Sequence, residues 1–148
     1  MQPDLKNVSE DCVFFDTSIL VYAFDAAEPE KQKVSKELIE NVLSGKMKGA
    51  ISSQVMGELY FVLTRKGMAK TEAEIIFNGF LSSESWIKLN YDMTTIRSAI
   101  NSAKNISVEL WDIVIAETSK ENGINKIVTE NEKDFSKIPG MKVVNPFK

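Results

Sequence analysis

Residue types limit the chemistry before any element is assigned. The 148-residue chain contains no histidine and one cysteine, Cys12. Without histidine, the Ser-His-Asp and Cys-His mechanisms are both closed and the commonest general base is missing. One cysteine forms no intrachain disulfide and builds no thiolate zinc site. Hydrolytic chemistry in this chain must therefore rest on carboxylates acting through a metal ion.

Four acidic regions are candidates. Asp16 directly follows Cys12-Val13-Phe14-Phe15, a buried strand by its composition. In an open parallel sheet, ligands gather beyond the carboxyl ends of the strands, so an aspartate there stands where chemistry is done. Its competing role is local: Asp16, Thr17 or Ser18 can cap a following helix. Asp112 is the only charged residue in Leu110-Trp111-Asp112-Ile113-Val114-Ile115-Ala116. On a helix its neighbours one turn away are Val108, Ile115 and Ala116, which predicts a largely buried turn with no lysine or arginine within reach. A buried unpaired carboxylate is costly and needs a cation, a hydrogen-bond donor from a distant helix N-terminus, or an arginine from elsewhere. Glu58 lies beside Val55 and Val62 at the edge of an apolar arc. Alone it reads as a surface glutamate, and it gains weight from Asp16 and Asp112. Thr129-Glu130-Asn131-Glu132-Lys133-Asp134-Phe135 follows a strand, and spacing does not fix which of Glu130, Glu132 and Asp134 turns inward. Three or four carboxylates converging after strands suit Mg²⁺ or Mn²⁺, hard ions that prefer oxygen ligands. Such a site suits phosphodiester hydrolysis.

The elements that must position these acids alternate between short apolar runs and longer amphipathic stretches. Strands are expected at 12–15, 49–51, 86–90, 126–129 and 142–144. A helix is expected over Pro29–Leu43, with Pro29 in its first turn and Gly45 as its stop. Another covers 54–66, with Val55, Leu59, Val62 and Leu63 on one side. Thr71-Glu72-Ala73-Glu74 has the pattern of a capping box opening a helix to about Ser82. Asp92 caps a helix to about Lys104, and Ser107 caps one ending near Gly123. Strands separated by helices predict an α/β fold around a parallel sheet.

Composition agrees with a soluble globular chain. Apolar residues make up 43% and charged residues 26%. With no internal repeat or linker, residues 1–148 read as one domain, 1–11 being a flexible lead-in. The polar, acidic start is not a signal peptide and no apolar run is long enough to cross a bilayer, so a cytoplasmic location is expected. A net charge of −3 leaves any nucleic-acid contact to local clusters such as Lys46/Lys48 or Arg65/Lys66, which otherwise serve as solvated surface.

Four segments in order resemble PIN-domain nucleases, especially the toxin ribonucleases of VapBC-type toxin–antitoxin pairs. Phe14-Phe15-Asp16-Thr17-Ser18-Ile19-Leu20-Val21-Tyr22 resembles the family's opening strand and first acid. Ile51-Ser52-Ser53-Gln54-Val55-Met56-Gly57-Glu58-Leu59 resembles its glutamate-bearing helix. Leu110-Trp111-Asp112-Ile113-Val114-Ile115-Ala116 resembles its aromatic-Asp helix, and Thr129-Glu130-Asn131 with Val143-Val144-Asn145-Pro146-Phe147 resembles its closing strands. The resemblance implies a three-layer fold with about five parallel strands flanked by helices. It implies Mg²⁺-dependent RNA cleavage (Mn²⁺ as a substitute), a homodimer and a cognate antitoxin protein. Asp16 and Asp112 would hold the metal and Glu58 would complete the site. Many relatives carry an aspartate where this chain has Asn131; others carry asparagine there with an acid three residues on. The fourth role accordingly falls to Asp134, with Thr129 and Asn131 as positioners.

Other classes fit less well. A dinucleotide-binding domain needs a glycine-rich turn after the first strand, and Asp16-Thr17-Ser18 has none. A response-regulator-like domain has no use for Asp112 inside an apolar helix. A haloacid-dehalogenase-type phosphatase wants a second aspartate where Ser18 stands. The competing class is a PIN-like RNA-binding or scaffold protein without turnover.

Overall fold

The computed structural model describes residues 12–148; the lead-in expected over 1–11 lies outside the described residues. Five strands form one parallel sheet: β1 (Val13–Phe15), β2 (Gly49–Ser52), β3 (Trp86–Leu89), β4 (Lys126–Val128) and β5 (Lys142–Val144). Their order is β3-β2-β1-β4-β5. All residues of β1, β2 and β4 are buried, while the edge strands are partly open. A parallel strand covered on both faces needs apolar residues along its whole length, which is why β1 reads Val-Phe-Phe without alternation.

Seven helices connect the strands among the described residues: α1 (Thr17–Tyr22), α2 (Pro29–Leu43), α3 (Ser53–Arg65), α4 (Lys70–Ser82), α5 (Met93–Ala103), α6 (Leu110–Glu121) and α7 (Glu132–Phe135). α1 packs against α2 and α3, α4 against α3, and α5 against α6. The result is the three-layer α/β architecture expected. Phe14 and Phe15 at the centre are fully buried, and Trp86 meets Phe15 edge-on with ring centroids 4.9 Å apart.

Several local signals act as expected. α2 runs from Pro29 to Leu43, and Gly45 adopts φ 80° just past its end. There the Lys46 N–H bonds to the Asn41 carbonyl and the Gly45 N–H to Val42, closing the helix with a left-handed residue that only glycine adopts cheaply. Asp92 accepts from the backbone of Thr94 and Thr95, and the Thr95 hydroxyl accepts in return from the Asp92 N–H.

Two caps do not form. Thr71 lies inside α4, which begins at Lys70 behind Ala69 with no side-chain cap. Burial of Ala73 and Phe80 on one face sets where this helix starts, and packing overrides the cap pattern. Ser107 likewise does not cap α6, which starts three residues later behind Glu109. Asp112 therefore sits in the first turn rather than amid the helix, Val108 is not a helical neighbour, and the exposed Trp111 leaves this turn only half-buried.

Close packing of α2 on the sheet depends on Gly49. A Cβ there would stand 2.7 Å from a Val42 methyl and 2.8 Å from the Trp86 ring. Gly49→Ala should lower the unfolding free energy by ~1–3 kcal/mol, the usual penalty of overpacking. Gly57, inside α3, provides the contrast, because a Cβ there would meet nothing within 4 Å. Gly57→Ala should raise stability by ~0.5–1 kcal/mol. Urea unfolding of both variants checks the pair of signs.

Candidate functional site

The chain runs from β1 to β2 to β3 in one direction and then returns to place β4 on the other side of β1. The crevice between the ends of β1 and β4 is the switch point at which open α/β sheets bind ligands. Asp16 follows β1 directly, and its backbone N–H bonds to the Val128 carbonyl at 3.0 Å. Its side chain is buried, 7% exposed. Oδ1 accepts from the Thr17 N–H at 2.8 Å, and Oδ2 accepts from the Thr129 hydroxyl at 2.6 Å and from Ser18 at 3.4 Å. Asp16 thus caps α1 and faces the crevice at once; the two roles suggested by sequence are not exclusive.

Glu58 reaches the same place from α3. Its Oε1 accepts from the Thr17 hydroxyl at 2.9 Å, so Thr17 links the helix that follows Asp16 to the one that carries Glu58. Asp112 comes from the first turn of α6, where the helix dipole favours negative charge. Gln54, four residues before Glu58, donates to the Trp111 carbonyl at 2.9 Å and so ties α3 to the start of α6. Asp16, Glu58 and Asp112 line one cleft of about 480 Å³, whose other walls include Val21, Phe61 and Ile115.

The acidic stretch after β4 sorts itself by its partners. Glu130 accepts from the Tyr22 hydroxyl at 2.7 Å and pairs with Lys31, and Glu132 pairs with Lys148. Asp134 also has a lysine beside it, Lys137 at 3.8 Å, but it alone of the three accepts from Asn131 Nδ2, at 3.2 Å, and the same amide donates to Asp112 Oδ2 at 3.2 Å. Asp134 is therefore the acid of the three that joins the cluster, through Asn131 and from outside the cleft lining.

Electrostatics shows how crowded this charge is. Burial raises the Asp112 carboxyl from 3.8 to about 7, with Asp16, Glu109, Asp134 and Glu58 adding to the rise. Burial also raises Asp16, against the pull of the Thr129, Thr17 and Ser18 hydrogen bonds. Glu58 is raised by burial and by Asp16 and Glu109, with the Thr17 hydrogen bond opposing. Among the described residues, no lysine or arginine forms an ion pair with Asp16, Glu58 or Asp112. Burial pushes the Cys12 thiol up to about 11, which removes it as a nucleophile near neutral pH.

Two features of the site are not among the candidates that sequence supplies. Glu109, three residues before Asp112, adds to the negative field on both Asp112 and Glu58, and its spacing is the available signal. The Thr17 and Gln54 ties have no signal in sequence, because each joins elements far apart along the chain.

The donors fit a divalent cation of the Mg²⁺ type. They are carboxylates, and none of Asp16, Glu58 and Asp112 has an ion-pair partner among the described residues; Lys66, in the lining of the same cleft, is paired with Asp25 instead. No group of three or more acidic side chains there is close enough to cage an ion unaided. Mg²⁺ does not require a cage, since it keeps several waters and binds through one or two carboxylates together with substrate phosphate.

An open parallel α/β sheet with carboxylates gathered at its switch point defines a class of acidic-site domain. The PIN domain family model matches residues 13–141, and the chain belongs to that family. No curated protein sequence is similar enough to match it. Among solved structures, the DNA-bound VapBC from Salmonella typhimurium is 24% identical, with 90% of this chain and 97% of that one covered and a TM-score of 0.65. VapBC2 from Rickettsia felis, bound to a DNA fragment from its promoter, is 22% identical over 90% of this chain and 98% of that one, with a TM-score of 0.67. VapC20 from Mycobacterium tuberculosis, a toxin that cleaves the sarcin-ricin loop, is 17% identical over 78% and 86%, with a TM-score of 0.64. At these identities the likeness is one of fold.

The raised carboxyls have a direct consequence for stability. A carboxyl whose folded pKa lies above its unfolded value binds more protons in the native state across the interval between the two. Its contribution is therefore greatest below the unfolded value and is lost as pH rises through the folded one, for Asp112 between 3.8 and about 7. In EDTA the thermal midpoint should fall as pH rises across this interval. Asp112→Asn should flatten that fall and melt higher than the unsubstituted chain at pH 8. A lower midpoint for the variant at pH 8 would show that Asp112 is not under charge strain.

Proposed function

We propose that this protein is a divalent-metal-dependent endoribonuclease, acting as the toxin of a toxin–antitoxin pair. The observation that carries the reading is the unbalanced carboxylate cluster of Asp16, Glu58 and Asp112 in the switch-point cleft. Asp16 and Asp112 would hold Mg²⁺, or Mn²⁺ in its place. When bound, the ion polarises the scissile phosphoryl group and makes a nearby water more acidic. Thr17 and Gln54 set the positions of Glu58 and of the first turn of α6. Glu58, its carboxyl raised above the usual range by burial, orients the attacking water and takes its proton. Asp134 acts through Asn131, which holds Asp112 in place. Water attack needs no histidine to activate a ribose 2′-hydroxyl, so the products carry a 5′-phosphate and a 3′-hydroxyl.

The substrate is RNA with an exposed single-stranded loop, where protein modules reach bases and backbone. Because the chain is acidic overall, contact depends on local cations and weakens as salt rises. The VapBC neighbours support a cognate antitoxin as partner. We place the protein in the cytoplasm as a homodimer; no described helix is long and apolar enough to cross a membrane.

Two measurements test the proposal. A divalent ion that neutralises the cluster should stabilise the fold by about 2.7 kcal/mol at a hundredfold excess over its dissociation constant. Equal thermal midpoints in EDTA and in millimolar Mn²⁺ would remove the metal from the reading. In the second, purified protein free of inhibitor is mixed with total RNA and Mg²⁺, and the fragment ends are mapped. Asp16→Asn and Asp112→Asn should each lose about a hundredfold or more in cleavage rate, the scale of lost charge stabilisation at the phosphate. Asp134→Asn, removing a support rather than a ligand, should lose about tenfold. Cleavage that persists in excess EDTA, or cyclic phosphate ends, would defeat the mechanism. Metal binding without cleavage of any RNA would favour an RNA-binding protein without turnover.

A further inference from the structure

Phe61 is out of place for an ordinary surface residue. The inward face of α3 is made by Val55, Met56, Leu59 and Leu63, all buried, whereas Phe61 is 58% exposed. Scattered exposed apolar side chains need no explanation. Phe61 differs because it lines the same cleft as Asp16, Glu58 and Asp112, and it follows Glu58 by about one helical turn. Two cations accompany it. The Arg65 guanidinium lies 5.7 Å from the centre of the Phe61 ring. Lys66 lines the cleft with its side chain 51% exposed and its ammonium 3.0 Å from Asp25.

We propose that Phe61 is a stacking platform for one base of a single-stranded nucleic acid, with Arg65 and Lys66 holding the phosphates beside that base. The inference rests on the reading of the cleft as an RNA-processing site and adds a binding subsite to it. An exposed aromatic ring with a guanidinium over it and an ammonium in the same cleft matches the chemistry of single-strand recognition, in which any base can stack while lysine and arginine follow the backbone. The position also suits the reaction: a base held on Phe61 keeps its own phosphates near Glu58, one turn away. A protein partner could use the ring as an apolar contact, but the two adjoining cations favour a strand that carries phosphate. Such a subsite accounts for how a chain of net charge −3 brings an anionic polymer to an acidic cleft.

The test is binding without turnover. A fluorescently labelled eight-nucleotide oligoadenylate RNA is titrated with the full chain in EDTA at low salt and followed by anisotropy. Phe61→Ala should weaken binding by about tenfold or more, and Phe61→Trp should restore it. Ile100→Ala, a truncation of another exposed apolar side chain, on α5, should bind as the unsubstituted chain does. Arg65→Ala and Lys66→Ala should each weaken binding and reduce its salt dependence. Unchanged affinity for Phe61→Ala, or equal competition by a blunt RNA duplex that offers phosphates but no free base, would overturn the platform. So would failure of the unsubstituted chain to bind the oligonucleotide, or a Phe61→Ala defect confined to capture of a protein partner. These failures are distinct from failure of the nuclease reading. Metal-dependent cleavage that survives with an inert Phe61 removes the subsite alone, whereas loss of cleavage altogether removes the reading beneath it.

Discussion

The hydrogen bond from the Thr129 hydroxyl to Asp16, 2.6 Å long, spans the point where β1 and β4 part company. Much of the site is organised around it. Asp16 is an almost fully buried carboxylate, and burial of that kind is tolerated only when both oxygens find donors. Thr17, Ser18 and Thr129 supply them, and each belongs to a segment that leaves the carboxyl edge of a central strand. Breaking the pairing of β1 with β4 would strand the charge; removing the charge would leave a polar pocket with nothing to accept its donors. Strand pairing and acid placement are thus one constraint seen from two sides.

Around this anchor the site is locally unfavourable. Asp112 and Glu58 are brought close to Asp16 and Glu109 without a positive partner among the described residues, and their carboxyls rise in consequence. The fold offsets this strain through a rigid frame. Gln54 fixes α3 to the start of α6, Asn131 bridges Asp112 and Asp134, and Glu130 is turned away into a brace with Tyr22 and Lys31. Lys31 lies over the rings of both Tyr22 and Phe147, so the end of the chain helps to hold the β4–α7 loop. Charge strain concentrated at one place and relieved elsewhere is the usual balance of a functional site.

Much of this was legible in the residues. The absence of histidine, the apolar strand ending in Asp16 and the lone charge in 110–116 pointed to carboxylate chemistry at the sheet's edge. The strand and helix order followed from periodicity, with Pro29, Gly45 and Asp92 punctuating it as short-range physics requires. What misled was local pattern in competition with packing. The capping box at Thr71 yielded to the burial of Ala73, and the start of α6 moved past Ser107 so that Asp112 fell in the first turn. That shift changed the environment of Asp112 from mid-helix and buried to half-buried beside a helix N-terminus.

Sequence by itself determined the chemistry available, the α/β class and the order of elements, because these depend on residue type and on spacings of a few positions. Only the tertiary structure decided which acids share a cleft and which of Glu130, Glu132 and Asp134 joins them. Lys31, Lys148 and Asn131 make that choice, and two of them reach the acids from elements distant in the chain. The same holds for the Thr17–Glu58 and Gln54–Trp111 contacts, which span 41 and 57 residues. Contacts of that range are set by how the sheet orders its strands, and spacing along the chain carries no record of it.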